Sequence, residues 1–249
     1  MSHAAAPSID ADEVARFDAL ADQWWDPHGG LAALHRLNPV RIEYIRDHLA
    51  RHFGRDGLAD RPLAGLRLLD IGCGGGLLCE PMARLGADVV GVDAAETSIE
   101  VAARHAAAGG LDIDYRHGSA EALAAAGESF DALLTMEVIE HVADLDVFLA
   151  ACCALMRPGG MIVAATLNRT PQAFALAIVG AEYLLRWLKP GTHDWRKFVR
   201  PAEIARRWRA GGVSVTATTG VRYHPFDDAW RLSRDLSVNY MAVGVKEGA

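Results

Sequence analysis

The sequence predicts an α/β fold built on a doubly wound, mostly parallel sheet. Apolar, β-rich segments alternate with helical patterns over most of the chain, and this alternation is typical of parallel strands joined by helices. A glycine-rich segment, "GCGGG" at 72–76, directly follows the first apolar strand, and Asp93 ends the second. Ligands of open parallel sheets bind at the carboxyl ends of the strands, so these two features predict a binding site there.

Seven strands are predicted, and the last two have no helix between them, which indicates a closing antiparallel hairpin. Two amphipathic segments, "DADEVARFDALADQWWDP" and "NPVRIEYIRDHLARHF", predict N-terminal helices within residues 10–60. The strands are predicted at Leu66–Ile71, Asp88–Asp93, Ile113–His117, Phe130–Met136, Met161–Leu167, Val213–Val221 and Leu236–Val245, and further helices at Gly76–Leu85, Ala95–Ala108, Leu145–Met156 and Pro201–Ala210.

The composition indicates one globular domain over residues 1–249, with residues 1–9 expected to be disordered. Hydrophobic residues make up 51% of the chain and charged residues 23%, which suffices for a full core. The net charge of −7 disfavours a nucleic-acid-binding protein, because phosphate contacts need a broad basic surface.

The compartment is predicted from the cysteines and from the absence of targeting patterns. Cys73, Cys79, Cys152 and Cys153 form no CxxC pair, so they are interpreted as core residues in a reducing compartment. No apolar run reaches the roughly 18 residues of a spanning helix, and the start lacks a secretory pattern. We therefore expect a cytoplasmic protein.

The glycine segment predicts close approach of a ligand to bare backbone. Asp70, Gly72, Gly74 and Gly76 lie where the first strand turns into the first helix. The dinucleotide fingerprint GxGxxG is absent, since Leu77 stands where its last glycine should be; this counts against an NAD-linked oxidoreductase, which remains an alternative class.

Asp93 has two interpretations. Its carboxylate can accept hydrogen bonds from both hydroxyls of a ribose, each worth about 1.5–3 kcal/mol. It can also do no more than cap the N-terminus of the following helix.

Four segments together carry a family resemblance. "LLDIGCGGG", "VVGVD", "FDALLTMEVIEHV" and "LMRPGGMIVAATLNR", in this order and spacing, resemble the class I S-adenosylmethionine-dependent methyltransferases over about Leu66 to Arg169. The flanking segments "WWDPHGGLAALHRLNPVRIEYI" and "VGAEYLLRWLKPGTHDWRKFVRPAE" extend the resemblance, to bacterial ubiquinone-biosynthesis O-methyltransferases, from about Phe17 to Val245. The resemblance implies a Rossmann-like fold, S-adenosylmethionine as cofactor and a polyprenylated phenol or catechol as substrate.

The family pattern implies cofactor contacts from Arg41, Gly72, Asp93 and Met136, in addition to the loop residues Asp70 and Gly74. An arginine suits the methionine carboxylate, and a methionine offers a polarizable surface to the adenosyl group. Without the resemblance, Arg41 would be interpreted as a solvated helix residue. Glu121 in "GSAEAL" either lies beside the adenine or is an exposed helix acid.

The segment "MEVIEHV" predicts the reactive centre. Glu137, Glu140 and His141 stand at i, i+3 and i+4, so one helical turn would place them on one face. Such a cluster suits a divalent metal or an acid/base pair; the resemblance implies Mg²⁺, although a histidine ligand is more typical of Mn²⁺ or Zn²⁺. The alternative is that this segment begins a helix, where acidic side chains interact favourably with the positive N-terminal end of the helix dipole.

The proposed chemistry needs a base. A phenolic hydroxyl has a pKa near 10, so a metal or a histidine must help to remove its proton before the methyl group is transferred. His141, with Glu140, is the predicted catalytic group, as base or metal ligand, and His193 in "GTHDW" is a weaker candidate.

Residues 169–200 predict an insertion of unusual apolarity. Thr170 is suited to cap a helix that Pro171 begins. The stretch from Glu182 to Arg209 is basic, since it holds eight Lys/Arg and only three Asp/Glu. An apolar helix beside a basic stretch predicts a peripheral contact with the inner face of an anionic membrane. A lid over the site and a core or dimer-interface helix are the alternatives.

Two further functional alternatives remain open at this stage. One is a small-molecule O- or N-methyltransferase with a soluble acceptor. The other is a non-catalytic scaffold that serves other quinone-biosynthesis enzymes, which the presence of Asp70, Gly72 and Asp93 disfavours.

Overall fold

The computed structural model describes residues 8–176, 194–224, 226 and 229–248. Within these ranges the chain forms eight strands. They are β1 (Arg67–Ile71), β2 (Asp88–Asp93), β3 (Asp114–His117), β4 (Phe130–Met136), β5 (Met156–Leu167), β6 (Val213–His224), β7 (Ala229–Ser233) and β8 (Asn239–Lys246).

The strands make one sheet in the order β3-β2-β1-β4-β5-β8-β6-β7. The first five are parallel to their neighbours. β8 is antiparallel to both β5 and β6, and β7 pairs antiparallel with β6 at the outer edge. The predicted α/β class with an antiparallel end is therefore confirmed, with β7 as an additional strand.

The described helices cover both faces of this sheet. Asp10 caps α1, Asp144 caps α6, and Pro201 begins α8. An aspartate at a helix start accepts hydrogen bonds from the first free amides of the helix. Proline suits the first turn because it has no amide hydrogen to satisfy. The helices are α1 (Ala11–Asp18), α2 (Ala32–His52), α3 (Cys79–Arg84), α4 (Glu96–Ala108), α5 (Ala120–Ala125), α6 (Leu145–Ala154), α7 (Pro171–Ala173) and α8 (Pro201–Ala210).

Several helices differ from their predicted bounds; α1 ends at Asp18 and α6 at Ala154, and the larger differences lie at the starts of α2 and α3. α2 begins at Ala32 and runs through Pro39, although a proline inside a helix removes one backbone hydrogen bond. α3 begins only at Cys79, because the backbone at Gly76 has a φ of 85°, outside the helical region. α5 was not predicted; Ser119 caps it by accepting a bond from the Ala122 amide at 3.2 Å.

The core lies in two layers, one on each face of the sheet. Successive residues of a strand point to opposite faces: Leu69 belongs to the cluster that includes Phe148 of α6, whereas Leu68 belongs to the cluster that includes Leu49 of α2. Each side chain buried in this way stabilises the fold by about 1.5–3 kcal/mol. The sheet is thereby fixed between the helices, and its carboxyl edge holds the loops described next.

The four cysteines, all of them described, are free and buried, in agreement with their interpretation as core residues. Among the described residues, no helix combines the length and the apolarity needed to cross a membrane.

Candidate active site

Three neighbouring strands bring the predicted site residues together. β1 lies between β2 and β4, so the glycine loop after β1, Asp93 at the end of β2 and Met136 at the end of β4 meet at one edge of the sheet. Met136 is 8% exposed. This is the edge at which ligands of parallel sheets bind.

The glycine loop makes room first for the protein's own side chains. Gly72 and Gly74 have φ values of 72° and 52°, which favour glycine. A Cβ at Gly72 would lie 2.3 Å from Cγ2 of Val138, and a Cβ at Gly74 would lie 2.3 Å from Cη2 of Trp24. Trp24 and Val138 therefore pack on this bare backbone, and the approach of a ligand to it stays a prediction.

We call residues 8–25 the N-terminal cap. Trp24 is buried and donates from its indole nitrogen to the hydroxyl of Ser98 at 3.0 Å. Trp25 donates to the carbonyl of Gly75 at 2.9 Å, and its ring stacks on His105 with centroids 3.5 Å apart. The cap is therefore anchored both to the glycine loop and to α4.

Asp93 joins the glycine loop to the start of α4. Its Oδ2 accepts from the amide of Gly74, and its Oδ1 accepts from the amide of Ala95, each at 2.8 Å. Burial raises the pKa of Asp93, and the two amide bonds act in the opposite direction. Ala95 is the N-cap residue of α4, and no side chain caps that helix, so these contacts do not make Asp93 its cap; contact with a ribose stays a prediction.

Asp70 lies beneath the loop and is 2% exposed. The thiol of Cys79 donates to its Oδ2 at 3.3 Å, and burial raises the pKa of Asp70 to about 7. This contact links the end of β1 to the start of α3, on either side of the glycine loop.

Arg41 reaches the site from α2. It is 3% exposed, and its Nη2 pairs with the carboxylate of Glu137. The Nε of Arg41 is buried without a hydrogen-bond partner. Burial of this charge, with one donor unused, excludes the solvated-helix interpretation of Arg41.

Glu121 lies in the first turn of α5. Both of its carboxylate oxygens are buried without a hydrogen-bond partner, so it is not the exposed helix acid that was one of the two alternatives. Unpaired acceptors of this kind call for a donor from elsewhere.

The predicted helical face of "MEVIEHV" is wrong. The residues from Glu137 to Asp144 form turns ahead of α6, and the amide of His141 donates to the carbonyl of Val138 at 2.9 Å. Glu137 has a φ of 59°, a strained value for a residue with a side chain. This backbone conformation turns the three side chains toward different partners.

Glu140 is buried under the turn, at 3% exposure. Its Oε2 accepts from the hydroxyl of Thr166 at 2.7 Å, while Oε1 is buried without a partner. Burial raises the pKa of Glu140 well above its usual value, and the nearby Glu137 raises it further. Both effects favour the protonated form of this carboxyl group.

His141 contacts the N-terminal cap. Its Nδ1 lies 3.0 Å from Oε2 of Glu13, and its ring stands perpendicular to that of Phe17 with centroids 5.4 Å apart. Glu13 was predicted only as part of an amphipathic helix. Glu13 and His141 are 128 positions apart in the chain, and no local pattern links them.

The implied magnesium site does not fit this arrangement. Glu137 pairs with Arg41, Glu140 is held by Thr166, and His141 contacts Glu13. Over the part of the chain that the structure describes, no three His, Cys, Asp or Glu side chains are grouped to hold a metal ion.

The start of the apolar insertion is described only as far as residue 176. Thr170 caps α7 as predicted, accepting from the amide of Ala173 at 3.0 Å, and Pro171 begins the helix. Phe174 and Leu176 are 46% and 59% exposed. His193 lies outside the described residues.

The residues present fit S-adenosylmethionine. The unused Nε–H of Arg41 suits a carboxylate, and the unpaired carboxylate of Glu121 suits the amino group of a purine. The two residues with unsatisfied polar atoms lie on different helices, Arg41 on α2 and Glu121 on α5.

Comparison with known sequences places the chain in a family. A family model described as "Methyltransferase domain" matches residues 69–164. A protein of Chelativorans sp. (strain BNC1), named ubiquinone biosynthesis O-methyltransferase, is 56% identical over 249 residues, 100% of this chain and 98% of that protein. A protein of the same name from Mesorhizobium japonicum is 57% identical over 239 residues, 96% of each chain.

Solved structures share the fold at low sequence identity. Magnesium protoporphyrin IX methyltransferase from Synechocystis PCC 6803, with bound SAH, has a TM-score of 0.63 and 19% identity and covers 95% of this chain and 100% of that chain. 1,6-Didemethyltoxoflavin-N1-methyltransferase from Burkholderia thailandensis has a TM-score of 0.61 and 17% identity, with coverage of 99% and 93%. At these identities the likeness concerns the fold alone.

The contact between Trp24 and Gly74 can be tested by substitution. Gly74→Ala introduces both a clash with Trp24 and strain at positive φ, so we expect it to lower the free energy of unfolding by about 3 kcal/mol. Gly110→Ala is the matched control, because Gly110 has a φ of 67° and nothing within 4 Å of its added Cβ; it should cost only about 1 kcal/mol. Equal losses in urea unfolding would show that Trp24 does not pack on Gly74.

Proposed function

The chain belongs to the ubiquinone biosynthesis O-methyltransferase family, and from this premise we propose that it moves a methyl group from S-adenosylmethionine to a phenolic hydroxyl of a polyprenylated phenol or catechol. The observation that carries the proposal is the meeting of Arg41, Asp93 and His141 at the carboxyl edge of the sheet. A buried cation, a half-buried acid and an imidazole at one edge suit an amino-acid-bearing nucleoside and an acidic hydroxyl.

The cofactor would be held from four sides of this edge. Arg41 binds the methionine carboxylate with donors beyond those that Glu137 uses. Gly72 and Gly74 let the backbone approach the amino-acid part, and Asp93 accepts from the ribose hydroxyls. Met136 lies against the adenosyl group, where its thioether is polarizable.

Glu121 completes the proposed cofactor site. Its buried, unpaired oxygens accept from the exocyclic amino group of the adenine, which relieves the cost of leaving a carboxylate buried without a donor.

His141 is the proposed base. A phenolic hydroxyl with a pKa near 10 is mostly protonated at neutral pH, and Nε2 of His141 takes its proton as the oxygen attacks. Bound S-adenosylmethionine supplies the activated methyl group, which the oxygen takes by in-line displacement. Alignment of the two substrates then dominates the rate.

Glu140 has a supporting role in this proposal. As a buried acid that accepts from Thr166, it ties the turn that carries His141 to β5. Substitution of Glu140 would therefore affect catalysis by displacing His141.

The apolar insertion supports a peripheral contact with an anionic membrane, where a polyprenylated substrate resides. Phe174 and Leu176 extend exposed apolar surface from the carboxyl edge, and the stretch from Glu182 to Arg209 carries a net charge of +5, from eight Lys/Arg and three Asp/Glu. Apolar side chains beside basic ones suit the lipid interface.

Methyl transfer tests the function directly. With labelled S-adenosylmethionine and a short-chain prenylated catechol, we expect transfer to the catechol oxygen, and His141→Asn should lower kcat by about 10²–10⁴-fold because it removes the base. Cofactor affinity should be retained. Absence of transfer by wild-type protein that binds the cofactor would refute the acceptor class, and equal kcat/KM for an untailed catechol would favour a soluble acceptor.

Asp93→Asn tests the cofactor site. Loss of the charged acceptor should weaken S-adenosylmethionine binding by about tenfold or more, measured by calorimetry. Asp88→Asn is the matched control, since Asp88 begins the same strand and is exposed; it should bind as wild type does. Unchanged affinity in Asp93→Asn would contradict the ribose contact.

Vesicle co-sedimentation tests the membrane contact. The double variant Phe174→Ser, Leu176→Ser should bind vesicles of mixed neutral and anionic lipid about tenfold more weakly, because it removes apolar surface from the interface. Leu58→Ser is the control: Leu58 is 85% exposed but lies ahead of β1, at the opposite edge of the sheet. If the two changes weaken vesicle binding equally, the insertion does not form the membrane contact.

A further inference from the structure

The contact between Glu13 and His141 joins the N-terminal cap to the proposed base. Oε2 of Glu13 lies 3.0 Å from Nδ1 of His141, and the two side chains are only 15% and 12% exposed. Arg16, one turn further along α1, pairs with the same oxygen at 3.1 Å. The ring of Phe17 also packs perpendicular to the imidazole. A carboxylate in this position can control the orientation of the ring.

Contacts on three sides hold α1 in place independently of His141. The carbonyl of Ser8 accepts from the amide of Ala143 at 2.9 Å, two residues beyond His141. Asp10 pairs with Lys197 at 2.8 Å, and Asp18 accepts from the amide of Thr97 at 3.2 Å. Both ends of the helix are thus tied to the body of the protein, so Glu13 approaches His141 from a fixed support.

Glu13 is ionised. Its hydrogen bond with His141 is the largest cause that holds the pKa of Glu13 below its usual value, and burial opposes this shift. An ionised carboxylate only accepts hydrogen bonds, so the proton of a neutral His141 must be on Nδ1. The lone pair is then on Nε2, the nitrogen that a general base uses.

We infer that Glu13 is a positioning residue that sets the tautomer and ring orientation of His141, an inference that rests on the proposed function. In the step itself the phenolic proton passes to Nε2, the hydroxyl oxygen forms its bond to the methyl carbon, and the sulfur leaves with its electron pair. Nδ1 keeps its proton and its bond to Glu13, whose negative charge stabilises the imidazolium. Glu13 takes up no proton.

A matched pair of variants separates this role from a general effect of charge. Glu13→Gln and Asp12→Asn each remove one negative charge from the first turn of α1, and Asp12 is exposed. We expect Glu13→Gln to lower kcat by about 10- to 100-fold, part of the 10²–10⁴-fold that a positioned base contributes, with KM for S-adenosylmethionine within about twofold of wild type. Asp12→Asn should keep wild-type kcat. Glu13→Asp, which restores the charge, should recover part of the loss.

Equal kcat for Glu13→Gln and Asp12→Asn would overturn the inference, and so would a loss in Glu13→Gln that Glu13→Asp does not reduce. Thermal unfolding of each variant guards against a folding defect: a kcat loss explained by a matching loss of folded protein also counts against a positioning role.

The tautomer of His141 gives a readout that does not need the acceptor. In ¹⁵N spectra of imidazole-labelled wild-type protein, Nδ1 should carry the proton, and Glu13→Gln should shift population to the Nε2–H form. Identical spectra would overturn the inference. If wild-type protein binds S-adenosylmethionine but methylates no phenolic acceptor, the proposed function fails, while the spectra still decide whether Glu13 orients His141.

Discussion

The packing of Trp24 on the side-chain-free backbone at Gly74 is the contact on which the rest of the site depends. It holds the N-terminal cap against the loop that follows β1, and the cap carries Glu13 to His141, whose turn follows β4. One segment therefore reaches both the proposed cofactor loop and the proposed base. The glycines serve two purposes at this edge, because bare backbone admits the indole on one side and suits a ligand at the carboxyl ends of the strands.

The acids of the site are distinguished by their partners. Asp93 is fixed by two backbone amides, Glu140 is buried and accepts from a single hydroxyl, and Glu13 is ionised against an imidazole. Burial favours the neutral form of a carboxyl group, and donors favour the charged form. The balance of these two effects gives three acids three different roles: Asp93 joins the loop to α4, Glu140 anchors the turn below His141, and Glu13 orients the ring.

Local pattern predicts much of the fold and part of the site. The alternation of strands and helices predicts the parallel sheet, so the meeting of the glycine loop, Asp93 and Met136 follows from topology. The helical spacing of Glu137, Glu140 and His141 wrongly predicted one shared helical face. The backbone at Glu137 has a positive φ instead, because Glu137 pairs with Arg41 and its amide bonds to β5. Glu13 was missed because its partner is 128 positions away, and β7 because an exposed five-residue edge strand has no apolar run. Long-range contacts of this kind depend on packing, which local propensity does not record.

Amide hydrogen exchange of the cap in the ligand-free protein tests the central claim most directly. An eight-residue helix is not stable alone in water, so protection of its amides reports docking. We expect the amides of Val14, Leu20 and Trp24, which donate within the cap, to exchange at least about 100-fold more slowly than in a free peptide. Exchange at free-peptide rates would show that the cap is not docked, and it would contradict both the packing of Trp24 on the loop and the positioning of His141 by Glu13.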